Sequence, residues 1–588
     1  MNLPGDSLPD GRDLTYNEMK KIITSVRLVI LIAVIIPCTS GMADAQRLKA
    51  GPQDLSFFSS VDDTDQPYSV YIPEDFDESR DYPLVVFLHG AWSNHRLGIR
   101  RLFGVGNSQG YDFIKPGNVP FENDVEATRY FPQFRPVDYI AAAPLARGTA
   151  GYQGVPEQDV YDMIDDLKAR FRIDEDRIYL TGLSMGGGGT LWLGLTRPDV
   201  WAAIAPVCPA PPEGTIDLAG NAANLPVHLF IGDKDFLYQT ATEWKGKLGE
   251  AAQRLDYVEY PGVGHNSWEW AYKDGFIFDW FSQFKRDKFP EKVSFTTKWF
   301  KYNQAYWVTV DDLVPGATAS IEAKFTGANS ITVVSSGVNA FTLSLAGHPM
   351  FTSAKKVSVS INGKAFSIKS ADAVSFMLSG NKWENRRFTP GLTSKQKGAE
   401  GPLYAAVTGS HIYVYGTADN PPADVLAARR EQAMAAADWT GMGGRIMVFP
   451  RVVADRDVRQ SDFVRSNLVL FGTRETNSVI EKFADRLPMH LDPKAENFGL
   501  VYIFPMNRHY ILVNSGLPWW TPPKKTGAQR GYAFSGSKVE ALRNLGDFLL
   551  FRESPENAVA AGTFDKDWKL PAEAAEALKG AGTVKLNQ

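Results

Sequence analysis

The chain has 588 residues, a length that sets an expectation of three or four domains. Its hydrophobic content of 44% and charged content of 22% are those of a globular protein and exclude a disordered or fibrous one. A net charge of −5 leaves no basic footprint and excludes nucleic acid as a partner.

Met19-Lys20-Lys21 begins a basic stretch that Arg27 closes, and nine apolar residues follow from Leu28 to Ile36. Ala43-Asp44-Ala45 then supplies a small-x-small cleavage site. This pattern predicts a secretory signal peptide over residues 1–45, with Met19 as the expected true start. Its apolar run is too short for an ordinary membrane span. Cleavage after Ala45 discards Cys38 and leaves Cys208 alone, so no intramolecular disulfide is possible and each domain must hold through its own core. The expected location is secreted or periplasmic, as a bacterial signal peptide implies, without stable insertion in the membrane.

Residues 66–73 carry the phrase Gln-Pro-Tyr-Ser-Val-Tyr-Ile-Pro. Residues 83–88, Pro-Leu-Val-Val-Phe-Leu, form a continuous apolar strand that ends in His89-Gly90-Ala91-Trp92. His-Gly at the end of an early strand is a usual source of one oxyanion-hole N–H, here that of Ala91 or Trp92. The ring of His89 itself is read as a packed, hydrogen-bonded loop group. Residues 94–152 are rich in aromatics, among them Phe103, Tyr111, Phe113, Phe121, Phe131 and Phe134. They are candidates to line an acyl or aryl pocket, although such residues more often form core. Gly106-Asn107-Ser108-Gln109-Gly110 fits Gly-x-Ser-x-Gly, but no buried strand precedes it, so Ser108 reads as a loop residue.

At Gly182-Leu183-Ser184-Met185-Gly186 the context is different. The apolar run Ile178-Tyr179-Leu180 precedes it, and the helix-like run Leu191-Trp192-Leu193-Gly194-Leu195 follows, stopped by Pro198. Strand, sharp turn and helix are the context in which this motif means a nucleophile elbow, with Ser184 as nucleophile and the Met185 N–H as second oxyanion donor. Further on, 227–231 is a buried-strand run followed by Gly232-Asp233-Lys234-Asp235. A carboxylate there sits at the carboxyl edge of a parallel sheet. Strand 257–260 leads into Pro261-Gly262-Val263-Gly264-His265, a glycine-rich loop able to deliver an imidazole. The order Ser, Asp, His, at spacings of 51 and 30 residues, suits successive strand–helix units. Position alone does not separate Asp233 from Asp235, and His228 reads as a strand residue.

Together these phrases, with Trp201-Ala202-Ala203-Ile204-Ala205-Pro206 and Gly264-His265-Asn266, make residues 52–290 resemble the α/β-hydrolase superfamily. The resemblance is to the branch of prolyl-oligopeptidase-like hydrolases and of secreted feruloyl, acetylxylan and polyhydroxybutyrate-depolymerase-type esterases. It implies a mainly parallel sheet and a catalytic domain over 46–290. The superfamily's acid falls at the second aspartate of a Gly-x-x-Asp phrase, which here is Asp235.

Beyond residue 290 short alternating strands follow one another, and Asn362-Gly363 marks a two-residue hairpin. They predict a small β-sandwich over 291–372, read as a spacer more readily than as a glycan binder. Residues 373–588 return to strand–helix alternation and predict a second α/β domain of unknown role with a mainly parallel sheet. Its expected strands include 412–415, 445–449, 467–471, 501–504, 510–513 and 548–551. Residues 472–477 are expected to be a turn with a helix cap rather than an anion site. Trp519-Trp520 is equally a sugar platform or packing. Cys208 is alone and the histidines lack ligand spacing, so neither metal nor other cofactor is expected.

These readings converge on a secreted serine hydrolase that cleaves carboxylic esters, polysaccharide-linked acyl groups above all, through Ser184, His265 and Asp235. A prolyl-oligopeptidase-like serine peptidase is the alternative. A catalytically idle glycan-binding or scaffold protein is a further one.

Overall fold

The computed structural model describes residues 48–105, 129–391, 393–439, 446–506, 509–522 and 538–587. The expected signal peptide, the Ser108 loop and the aromatics Tyr111, Phe113 and Phe121 lie outside the described residues. From Ala50 to Gln588 the chain forms one compact unit.

Its first part is built on eight strands: β1 Gly51–Ser59, β2 Thr64–Ile72, β3 Tyr82–Leu88, β4 Ile140–Pro144, β5 Ile173–Leu183, β6 Ala203–Val207, β7 Pro226–Gly232 and β8 Arg254–Tyr260. They lie in the order β1-β2-β4-β3-β5-β6-β7-β8. β2 runs antiparallel to both β1 and β4, and all pairs from β4 to β8 are parallel. Every residue of β3, β4, β6 and β7 is buried, which is why these strands read as unbroken apolar runs and not as alternation. The helix Met185–Thr196 packs on β5 and β6, and the helix Tyr238–Ala251 on β7 and β8. Phe103 and Phe134 stack with ring centroids 4.5 Å apart inside this core, so packing has claimed these members of the aromatic insertion.

The next part is two facing five-stranded sheets around a separate core. The Asn362-Gly363 hairpin is present, with φ of +47° and +85° at its two turn residues and Ile361 paired to Lys364. The sandwich runs past the expected boundary at 372. Ala373–Ser379 pairs with Val338–Ser344, and Lys382–Glu384 pairs with it in turn, burying Val374, Phe376 and Trp383.

The last part holds a seven-stranded sheet. Arg451–Ala454, His411–Tyr415, Asn467–Phe471 and His509–Gly516 are parallel neighbours. Phe498–Met506, Phe548–Arg552 and Ser554–Gly562 then continue it antiparallel. The expectation of a mainly parallel sheet is therefore corrected to a mixed one. Met506 pairs with His509, and a single residue separates Phe548–Arg552 from Ser554–Gly562. Neither link has the dozen residues that a parallel crossover needs. The expected strand at 445–449 is also displaced to Arg451–Ala454, and Ile446 instead bridges Gly148 of the first part. Trp519 is buried against Phe471, which removes it as a sugar platform. Asn477 caps the short helix Ser478–Phe483, the turn-and-cap reading of 472–477. Val61, Ala150 and Val155 of the first part belong to the same core as this last sheet.

Candidate active site

Ser184 sits between the end of β5 and the first turn of the helix Met185–Thr196, at φ +55° and ψ −116°. A side chain in that region costs roughly 1–3 kcal/mol of backbone strain, which the surroundings must hold in place. Here they do so on both sides of the peptide. The Ser184 N–H donates to the Val207 carbonyl at 3.0 Å, and its carbonyl accepts from Gly188 and Ala210, each at 2.9 Å. The flanking glycines are sterically required. A Cβ on Gly186 would lie 2.0 Å from the Leu88 oxygen, and one on Gly182 2.6 Å from the Gly186 oxygen. The elbow is thereby wedged against the end of β3.

The side chains expected from the sequence come together at the carboxyl ends of β5, β7 and β8. Ser184 Oγ lies 2.9 Å from His265 Nε2. His265 Nδ1 lies 2.9 Å from Asp235 Oδ2 and 3.0 Å from Oδ1. The Asp235 side chain is fully buried, and its Oδ1 also accepts from the Leu237 N–H at 2.9 Å. Asp233 points elsewhere. Its Oδ1 accepts from the Gly262 N–H at 2.7 Å, pinning the turn that leads to His265. His228 stays in its strand between Phe230 and Trp280. Phe236, 76% exposed, holds its ring 4.5 Å from that of His265, and Trp268 meets the same imidazole edge-on at 5.5 Å.

Cys208 is buried beside this chain of groups, with donor atoms of Cys208, Asp235 and His265 within 4.8 Å of one another. Burial pushes its thiol far up, away from the thiolate a metal would need. Asp235 and His265 already engage each other. The set fits a packed neighbour of the site better than a metal centre.

The turn after β3 abuts the serine. A Cβ on Gly90 would lie 2.7 Å from Leu183 Cδ1 and 3.6 Å from Ser184 Cβ. The Ser93 N–H closes this turn on the Gly90 carbonyl at 3.2 Å, leaving Ala91 and Trp92 at its centre, Trp92 at φ +58°. Its hold comes from residues 145–152, a segment that the sequence did not single out for this purpose. The His89 ring lies 2.8 Å from the Leu145 carbonyl, Tyr152 donates its hydroxyl to the His89 carbonyl at 3.0 Å, and the Trp92 N–H donates to Thr149 Oγ1 at 2.9 Å. Burial lowers the basicity of His89.

That segment is itself anchored by Arg147, a fully buried guanidinium. Arg147 Nε reaches Asp159 at 2.6 Å, Nη1 reaches Asp62 at 2.6 Å and donates to the Met447 carbonyl at 3.1 Å, and Nη2 donates to Ser59 Oγ at 2.7 Å. Ala146 and Arg147 are consecutive left-handed residues, φ +45° and +60°, in a turn closed by Gly148 onto the Leu145 carbonyl at 2.9 Å.

An eight-stranded sheet of this order, with a serine on a strained turn after the fifth strand, is the α/β-hydrolase fold. Within it, residues 59–279 match the Esterase family model ("Putative esterase"). Two curated relatives are similar over shorter stretches. Poly(3-hydroxyalkanoate) depolymerase C of Paucimonas lemoignei is 32% identical over 133 residues, 22% of this chain and 28% of that protein. Cutinase 1 of Thermobifida cellulosilytica is 34% identical over 98 residues, 16% of this chain and 36% of that protein. The chain thus spans well under half the length of either. Among solved structures, a thermostable esterase shares 23% identity at a TM-score of 0.31, over 40% of this chain and 63% of that one.

Proposed function

We propose that this chain is a serine hydrolase of carboxylic esters, acting through Ser184, His265 and Asp235. The observation that carries the reading is the unbroken 2.9 Å sequence from Ser184 Oγ through the His265 imidazole to the Asp235 carboxylate. His265, oriented by Asp235, takes the proton as Ser184 Oγ attacks the ester carbonyl, then returns it to the leaving alcohol. Water repeats the sequence on the acyl-enzyme. The developing oxyanion rests on the N–H of Met185, at the open amino end of its helix, and on that of Ala91. Of the two residues weighed for that second donor, Trp92 has its N–H committed to Thr149 Oγ1, which favours Ala91. The exposed Phe236 ring beside His265 offers an apolar rest for the acyl or leaving group.

The substrates we infer are acyl groups that decorate plant or algal polysaccharide. A leader-like amino terminus supports action outside the cytoplasm. No helix among the described residues is long and apolar enough to cross a membrane. A second reading, cleavage of a polyester backbone, is favoured by the polymer-directed names of the relatives.

The test is hydrolysis by residues 46–588, wild type and Ser184→Ala, on acetyl, butyryl and feruloyl esters, a polyhydroxybutyrate film and an Ala-Pro anilide. Ester cleavage falling by about four orders of magnitude or more in Ser184→Ala is expected. Anilide cleavage without ester cleavage would move the reading to a peptidase, and full activity of the variant would end it.

A further inference from the structure

The sandwich carries a groove on the outer face of one sheet, of about 480 Å³, within the range of small-ligand sites. Its floor follows from strand register. Thr309 pairs with Thr342 and Thr342 with Ser375, so three hydroxyls stand in one row across adjacent strands. The inward residues of the same strands, Val310, Phe341 and Phe376, are core. An irregularity in the register at Val310–Leu313 leaves Asp311 outside the pairing, and this bulge turns its carboxylate onto the row. Thr342 donates its one hydroxyl proton to Asp311 Oδ2 at 2.6 Å, so the 2.8 Å contact with Ser375 must have Ser375 as donor. The row is therefore a directed chain ending on a carboxylate, fixed before any ligand arrives.

The groove's wall is cationic. Lys369, Arg386 and Arg387 line it against the single carboxylate of Asp311, and Arg386 is only loosely shared with Glu384, at 3.8 Å. Asn385 beside them donates to the Ser375 carbonyl at 3.0 Å, which ties the wall to the floor. No aromatic ring lines the groove among the described residues, so a stacked neutral sugar lacks its usual platform. A hydroxyl row answers vicinal hydroxyls, and paired guanidinium groups answer a carboxylate.

We propose that this groove binds a saccharide chain bearing carboxylates, of the uronic-acid type. It would tether the chain to an acidic polysaccharide independently of what Ser184 cleaves. The proposal goes beyond the esterase reading and does not depend on it, because binding is measured in a chain that cannot turn over.

The experiment is affinity electrophoresis and calorimetry on the Ser184→Ala chain with polygalacturonate, neutral galactan and poly-glutamate. Binding to polygalacturonate well above that to the other two is expected. Arg386→Ala with Arg387→Ala should weaken it by about tenfold or more. Thr342→Val should weaken polygalacturonate binding while leaving poly-glutamate unchanged. The same substitutions in the active background should leave small-ester hydrolysis unaltered and the melt cooperative, with Thr342→Val lowering stability by only about 1–2 kcal/mol, which separates a lost site from a lost fold. Equal affinity for poly-glutamate, no affinity for polygalacturonate, or full binding by these variants would overturn the proposal.

Discussion

Arg147→Met replaces a buried guanidinium by an uncharged side chain of similar length at the junction of the first and last parts of the chain. The structure sets the size of the effect. Arg147, Asp62 and Asp159 are all 0% exposed at their side chains, and both ion pairs are 2.6 Å. Removing one partner of a buried pair costs about 3–5 kcal/mol, because a desolvated charge is left uncompensated. The loss depends on pH. Burial raises the Asp159 carboxyl and Arg147 pulls it back down, so the variant lifts its folded-state pKa further above the unfolded value. A raised carboxyl contributes stability that is present below the unfolded pKa and lost as pH rises through the folded one. The deficit of Arg147→Met is therefore full at alkaline pH and narrows on acidification as Asp159 takes up a proton. Urea unfolding, followed by tryptophan fluorescence on both sides of neutrality, reads this directly. A deficit below about 1 kcal/mol, or one that does not change with pH, would refute the argument. Because the strained turn at 146–148 rests on this anchor, kcat should fall along with stability.

Thr149→Val removes the acceptor of the Trp92 N–H, at a cost of about 1 kcal/mol. Ester turnover should fall roughly tenfold in kcat with KM little changed, and Thr149→Ser should restore it, whereas a purely structural role would leave kcat intact. Gly186→Ala forces a methyl to within 2.0 Å of the Leu88 oxygen, so the elbow must shift. A loss of about a hundredfold in kcat is expected, and a variant within twofold of wild type would contradict the packing argument. Burial pushes the Glu400 carboxyl up to about 7. Its stability contribution is thus lost as pH rises through 7, and Glu400→Gln should stabilise the protein at alkaline pH but not in acid, as thermal melts at both would register.

What the sequence could determine was local or periodic. Gly182, Ser184 and Gly186 constrain a turn of a few residues between an apolar strand and a helix, and the steric demand is the same wherever that turn occurs. His89-Gly90, Asp235 and His265 each sit just past a short apolar run, so their positions at strand ends could be read without knowing the sheet order. The hairpin at Asn362-Gly363 was legible for the same reason. Choices between near neighbours needed the tertiary structure. Asp233 and Asp235 differ by two residues, and only the fold turns one to Gly262 and the other to His265. The last sheet has buried strands of both senses, and a buried run carries no mark of direction. Arg147 and Thr149 left no signal at all. Arg147 meets partners 85, 12 and 300 residues away, and Thr149 meets Trp92 at a separation of 57. Such contacts have no local pattern. They exist because the strands and the last core close around one segment, and only the assembled fold brings those groups within hydrogen-bonding reach.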